Sequence, residues 1–211
     1  MSAQTPDPCF AILASGRGSN ADALMAAFAS DLIPGRLAVV LANKNDAPVL
    51  EKARLRKVPA EVVPSQGLGR SEHEAALLAS LKAHAVDHLL LAGYMRLLSA
   101  DFLSRFPGFV LNIHPALLPD FPGLEAAERQ WQARVKVAGA TVHLVDAGVD
   151  SGPIVLQGSI EVRGDEGADG LSTRILTEVE HVIYPRAVRL FIDRLRRNAP
   201  VAQNVVARSS P

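Results

Sequence analysis

The chain has 211 residues, 48% of them hydrophobic but only 5% aromatic, so a core built mainly from Leu, Val, Ile and Ala is expected. Lys plus Arg total 22 and Asp plus Glu total 22, so the formal net charge is zero, which argues against a general nucleic-acid binder with its basic field. The one cysteine, Cys9, excludes an intrachain disulfide framework and a Cys-rich metal site.

The N-terminal MSAQTPDP lacks the basic start and apolar run of a signal segment. No apolar stretch approaches the roughly 18 residues that span a bilayer. A cytoplasmic protein without membrane contact is expected. Short apolar runs at 9–14, 37–42, 60–63, 88–93 and 109–114 alternate with helical stretches at 19–30, 47–57, 71–84 and 100–105. Strands with few polar breaks alternating with helices predict a parallel sheet covered on both faces. In 71–84, Ala75, Leu78, Ala79 and Lys82 recur at helical spacing, with Ser71 as the expected cap. From 140 an alternating run, a DSGP turn and a second run predict a hairpin or bent strand pair at one edge of the sheet. Residues 169–197 read as helix interrupted at Tyr184-Pro185. The expected organisation is one α/β domain over 9–197, with flexible tails at 1–8 and 198–211.

Two segments carry chemistry. In AILASGRGSNADAL a strand passes to a helix through Ser15-Gly16-Arg17-Gly18-Ser19-Asn20. Glycines permit close backbone approach, and a helix start attracts anions. The segment lacks the third glycine of a dinucleotide fingerprint and the Gly-Lys-Ser/Thr of a P-loop, so it fits a single phosphate better than a pyrophosphate. An ordinary tight turn capped by Ser19 or Asn20 fits it equally well. In LNIHPALLPDFPG a strand ends on Asn112 and His114, two residues apart and therefore on one face, before Pro115, Pro119 and Pro122 deny the chain a helix. Asn offers a neutral donor to a developing oxyanion, and His transfers protons near neutral pH. Asp146 and Asp150 flank the next turn; either could orient a histidine, and both also suit turn chemistry. His143 is read as structural. His73, His84 and His88 are read as solvated or packing residues, and His181 as packing or a substrate contact. The six histidines show no metal-ligand spacing.

SGRGSN, LAGYMRLLS (91–99), LNIHPALLPDFPG (111–123) and GATVHLVDAGVDSGPIVLQ (139–157) together resemble the glycinamide ribonucleotide formyltransferases of purine biosynthesis. The resemblance covers about Phe10 to Pro185. It implies a Rossmann-like, mostly parallel sheet with helices on both faces and an antiparallel edge. It also implies formyl transfer from 10-formyltetrahydrofolate to the amine of 5-phosphoribosylglycinamide, two small-molecule substrates, with no metal. Gly18, Ser19 and Asn20 would hold the substrate phosphate, and Glu180 would contact the substrate. Arg70, Met95, Arg96, Leu97 and Leu98 would hold the folate, together with Asn112. Asn112, His114 and Asp150 would be catalytic, with Asp150 raising the His114 pKa. One stretch departs from the family. After FPGL the relatives carry a histidine-containing segment, whereas here EAAERQWQARVKV (125–137) places Glu125 and Ala127 where histidines are expected. A formyltetrahydrofolate hydrolase shares the Asn, His and Asp logic but has an additional N-terminal domain. A methionyl-tRNA formyltransferase has an additional C-terminal RNA-binding domain. A non-catalytic binder would not need Asn112, His114 and Asp150 to converge.

Overall fold

Residues 7–197 are described by a computed structural model. The parallel strands are β1 (Cys9–Ala14), β2 (Arg36–Ala42), β3 (Ala60–Val62), β4 (His88–Leu91) and β5 (Val110–His114). Two more, β6 (Val137–Leu144) and β7 (Ile154–Glu161), complete a sheet of order β3-β2-β1-β4-β5-β6-β7. β6 runs antiparallel to both β5 and β7, which forms the edge pair that the alternating run and turn predict.

The strand sequences explain the layers. In β1, Phe10, Ile12 and Ala14 enter one core, while Cys9, Ala11 and Leu13 enter the other. The first core packs against α1 (Ser19–Ala29), α2 (Val49–Leu55) and α7 (His181–Arg196), through Leu24, Leu50, Val188 and Phe191 among others. The second packs against α3 (Arg70–Ala83) and α4 (Ala100–Arg105), through Leu77, Leu81 and Phe102. With both faces covered, the strands need no polar side, hence their unbroken apolar character. Tyr184 lies fully buried, and its hydroxyl donates to the carbonyls of Leu91 (2.9 Å) and Leu111 (3.1 Å), tying α7 to β4 and β5.

Three local expectations are corrected. Ser71 does not cap α3: the helix starts at Arg70 after Gly69, whose N–H donates to Glu72 Oε2 at 3.0 Å. Its buried face is His73, Glu74, Leu77, Ser80 and Leu81, while Ala75, Ala79 and Lys82 are exposed. Finally, the helical stretch is not broken at Tyr184-Pro185. Pro185 sits inside α7, and the irregularity lies just upstream as a π-helical segment, Ile175–Glu180, joining α6 (Gly167–Arg174) to α7. Proline lacks an N–H and crowds the carbonyl four residues back. A wider turn beside it is one way a helix accommodates such a residue.

Asp7 and Pro8 are tied to the body: the Arg36 N–H donates to the Pro8 carbonyl at 3.0 Å, and Arg196 pairs with Asp7. The remaining tail positions lie outside the described residues. Among those described, no helix is long and apolar enough to cross a membrane.

Candidate active site

In a doubly wound sheet, ligands bind beyond the carboxyl ends of the strands where the strand order reverses. Here that point lies between β1 and β4, and the turns leaving both strands are joined there. The Ser15 N–H donates to the Gly93 carbonyl at 3.1 Å, and the Met95 N–H donates to Ser15 Oγ at 2.9 Å. Gly18 caps α1 at φ 64°, and a Cβ there would meet Val49 Cγ2 at 2.3 Å, so both conformation and space require glycine. Asn20 is buried and donates from Nδ2 to Glu180 Oε2 at 2.5 Å, while its Oδ1 has no partner. Burial pushes the Glu180 carboxyl pKa up, against the opposing effect of Asn20.

Beside this turn lies a cavity of about 490 Å³. Its walls are the 93–98 segment, the end of β5 with Asn112 and His114, and the turn carrying Asp146 and Asp150. Met95, Arg96, Leu97 and Leu98 all line it, with Met95 and Leu97 strongly exposed. Gly18, Ser19 and Asn20 are not among its lining residues, nor is Arg70, which stands exposed at the start of α3.

Within the cavity three predicted residues converge and a fourth joins them. His114 Nδ1 lies 3.1 Å from Asp150 Oδ2. Asp150 also accepts the Gly123 N–H at 2.8 Å, and its other oxygen is 3.5 Å from His143 Nε2. Asn112 Nδ2 lies 3.2 Å from the same His143 Nε2. The register explains this: β5 and β6 pair Asn112 with His143 and His114 with Thr141. Asp146 also lines the cavity, but the hydrogen bonds it makes lie within the turn: it accepts from the Gly148 N–H (3.0 Å) and Ser151 Oγ (2.8 Å). Asp150 sits at φ 52°, a left-handed conformation that Asp tolerates better than most residues.

Burial works against ionised Asp150, but hydrogen bonds from His143 and the Gly123 N–H, with the charge of His114, hold its pKa at about 2. His114 behaves differently from the expectation. Burial dominates and pulls its pKa below the ordinary histidine value, although the Phe121 carbonyl and Asp150 both pull upward. Its Nε2 lies 2.8 Å from the Phe121 carbonyl. Both ring nitrogens thus face acceptors, and only the imidazolium satisfies both. The neutral ring, with one N–H, can donate to only one of them.

The formyl transferase family matches residues 9–188. The phosphoribosylglycinamide formyltransferase of Bacillus subtilis is 37% identical over 181 residues, covering 85% of this chain and 92% of the relative. That of Escherichia coli is 35% identical, with 86% of each chain covered. The crystal structure of glycinamide ribonucleotide transformylase 1 from Symbiobacterium toebii superposes with a TM-score of 0.86 at 45% identity, over 92% of this chain and 91% of that one. The chain belongs to the formyl transferase family.

Formyl transferases use a folate-type one-carbon donor, and Met95, Arg96, Leu97 and Leu98, expected to hold it, stand in the cavity wall. The stretch expected to depart from the family contains a short helix. Glu125, at φ 56°, caps a short helix α5 (Ala126–Gln132) and lines the cavity with Leu124 and Ala126. Gln130, 2% exposed, donates to the carbonyls of Pro115 (2.8 Å) and Ala126 (3.0 Å). Arg129 donates to the Pro122 carbonyl and lies 5.7 Å over the Phe121 ring. Thr141 and Gln157 grip the loop from the sheet: Thr141 Oγ1 donates to the Ala116 carbonyl at 2.7 Å, and Gln157 donates to the Leu118 carbonyl at 2.9 Å. The loop is therefore fastened by side chains, since its prolines cannot join a ladder. His143, read as structural, is brought beside Asn112 and Asp150 by strand pairing, which the chain order alone does not specify. Among the described residues, no group of His, Cys, Asp and Glu could hold a metal ion.

Proposed function

We propose that the chain transfers the formyl group of 10-formyltetrahydrofolate to the amine of 5-phosphoribosylglycinamide, with Asn112, His114 and Asp150 carrying the reaction. The observation that carries this reading is the buried 3.1 Å contact of His114 with Asp150, beside Asn112 and in a cavity walled by residues 93–98. A non-catalytic binder would not require that convergence. The donor occupies the cavity against Met95, Arg96, Leu97 and Leu98, and Arg70, which does not line the cavity, is assigned to a part of the donor that extends beyond it. The phosphate rests on the first-turn N–H groups at Gly18, Ser19 and Asn20, where the helix start favours an anion. Glu180, held by the Asn20 Nδ2 donor, is assigned to the rest of that substrate.

The amine nitrogen attacks the formyl carbon, and the carbonyl electrons move to oxygen. Asn112 donates a hydrogen bond to that oxyanion. Neutral His114, its Nδ1 proton held by Asp150, takes the proton from the new ammonium at Nε2. The imidazolium so formed is stabilised by ionised Asp150 and returns the proton to the departing folate nitrogen. The carbon–nitrogen bond to folate breaks, and the formamide carbonyl re-forms. Burial, which lowers the His114 pKa, suits a ring that must start neutral and give its proton up again. A single domain over 9–197, a cytoplasmic setting and the absence of a nucleic-acid partner belong to the same proposal.

Mass-spectrometric identification of the product tests the reading. With both substrates present, formylated ribonucleotide and deformylated folate should appear together. Formate release without a formylated amine would instead assign a hydrolase.

A further inference from the structure

The cavity wall formed by residues 94–98 has no ladder to hold it: β4 ends at Leu91 and α4 begins at Ala100. Its shape must come from side chains, and two adjacent residues of α3 supply contacts at its two ends. His73 is buried, with Nδ1 3.0 Å from the Pro64 carbonyl and Nε2 2.7 Å from the Tyr94 hydroxyl. Glu74 is also buried and accepts from the Ser99 N–H (2.8 Å) and the Ser99 hydroxyl (2.5 Å). Ser99 Oγ in turn accepts the Phe102 N–H at 3.1 Å, capping α4.

The tautomer of His73 follows from its partners. A carbonyl only accepts, so Nδ1 carries the proton toward Pro64. Burial pulls the His73 pKa down and keeps the ring neutral, so Nε2 accepts and the Tyr94 hydroxyl donates. Burial likewise pushes the Tyr94 pKa up to about 12, keeping that proton in place. Two polar residues on the buried face of a helix would be costly without such partners.

We propose that His73 and Glu74 are positioning residues for the formyl donor: they clamp the wall Tyr94–Leu98 at both ends and so set the donor's affinity without touching the reacting atoms. The inference rests on the reading of this cavity as the donor site.

The test is steady-state kinetics on His73→Leu, His73→Gln and Tyr94→Phe, with thermal melting to confirm folding. Losing one net hydrogen bond corresponds to a donor KM raised about 3- to 10-fold, with kcat and the KM for the ribonucleotide held near wild type. Gln can donate to Pro64 and accept from Tyr94, so His73→Gln should restore most of the affinity lost in His73→Leu. Tyr94→Phe removes one hydroxyl and serves if His73→Leu does not fold. An unchanged donor KM in a folded His73→Leu or in Tyr94→Phe, or equal rises in both substrates' KM values, overturns the proposal while leaving the donor site itself standing. Wild-type protein that neither binds nor turns over 10-formyltetrahydrofolate overturns the reading of the cavity, and the clamp with it.

Discussion

His114 Nδ1 and Asp150 Oδ2 stand 3.1 Å apart with side chains only 6% and 13% exposed, so a nearly dry imidazole faces a carboxylate that stays ionised. In such surroundings the carboxylate raises the histidine pKa while burial lowers it, and burial prevails.

Asp150→Asn removes the upward pull on His114 while leaving a side chain of similar size. The neutral ring is the reactive form, so activity falls as pH drops through the His114 pKa. Taking away a group that raises this pKa moves the acidic limb of kcat/KM to lower pH. The rate at neutral pH should also fall by about 100-fold or more, because the imidazolium intermediate loses its counter-charge. A pH–rate profile of the variant checks both; an acidic limb moved upward would contradict the assignment.

Asn112→Ala removes the proposed oxyanion donor. The loss in kcat should be about 100- to 1,000-fold, with little change in either KM, since the bond matters most in the transition state. Steady-state kinetics separates this from a binding defect.

Gly18→Ala meets two penalties, a left-handed φ of 64° and a Cβ only 2.3 Å from Val49 Cγ2. The left-handed conformation alone costs about 1–2 kcal/mol for an alanine. A lowered melting temperature and a raised KM for the phosphorylated substrate, with the donor KM less affected, are expected.

His88 packs among Phe10, Phe109 and Phe191, and its Nδ1 accepts the Phe109 N–H at 3.2 Å. Burial lowers its pKa, so the folded state favours the neutral ring. Its stabilising contribution is complete above the unfolded histidine value and is lost as pH falls through the folded pKa. Thermal melts should therefore weaken between roughly pH 7 and pH 5, where an unperturbed histidine titrates. The pH slope should flatten in His88→Leu.

The apolar runs that became β1, β2, β4 and β5 were legible because a sheet covered on both sides needs little else, and the edge pair was legible from its alternation. α3 was expected at nearly its true bounds, but its inward face was misread for a physical reason. Its inward residues include His73 and Glu74, polar groups that become acceptable inside through Tyr94, Pro64 and Ser99, all outside the helix. His143 was invisible for the same reason, since its role depends on pairing with Asn112 across two strands. The choice between Asp146 and Asp150 depended on how one turn folds. The helix at Ala126–Gln132 is held by contacts outside itself, among them buried Gln130 reaching Pro115 and Arg129 reaching Pro122.

The central claim is that His114 carries the proton in formyl transfer. The most direct measurement is the turnover of 10-formyltetrahydrofolate and 5-phosphoribosylglycinamide by wild type and His114→Ala, with melting curves recorded on both. The account predicts formylated product from wild type and near-complete loss, about 1,000-fold or more, in a folded variant. A folded His114→Ala that retains substantial transfer would contradict it.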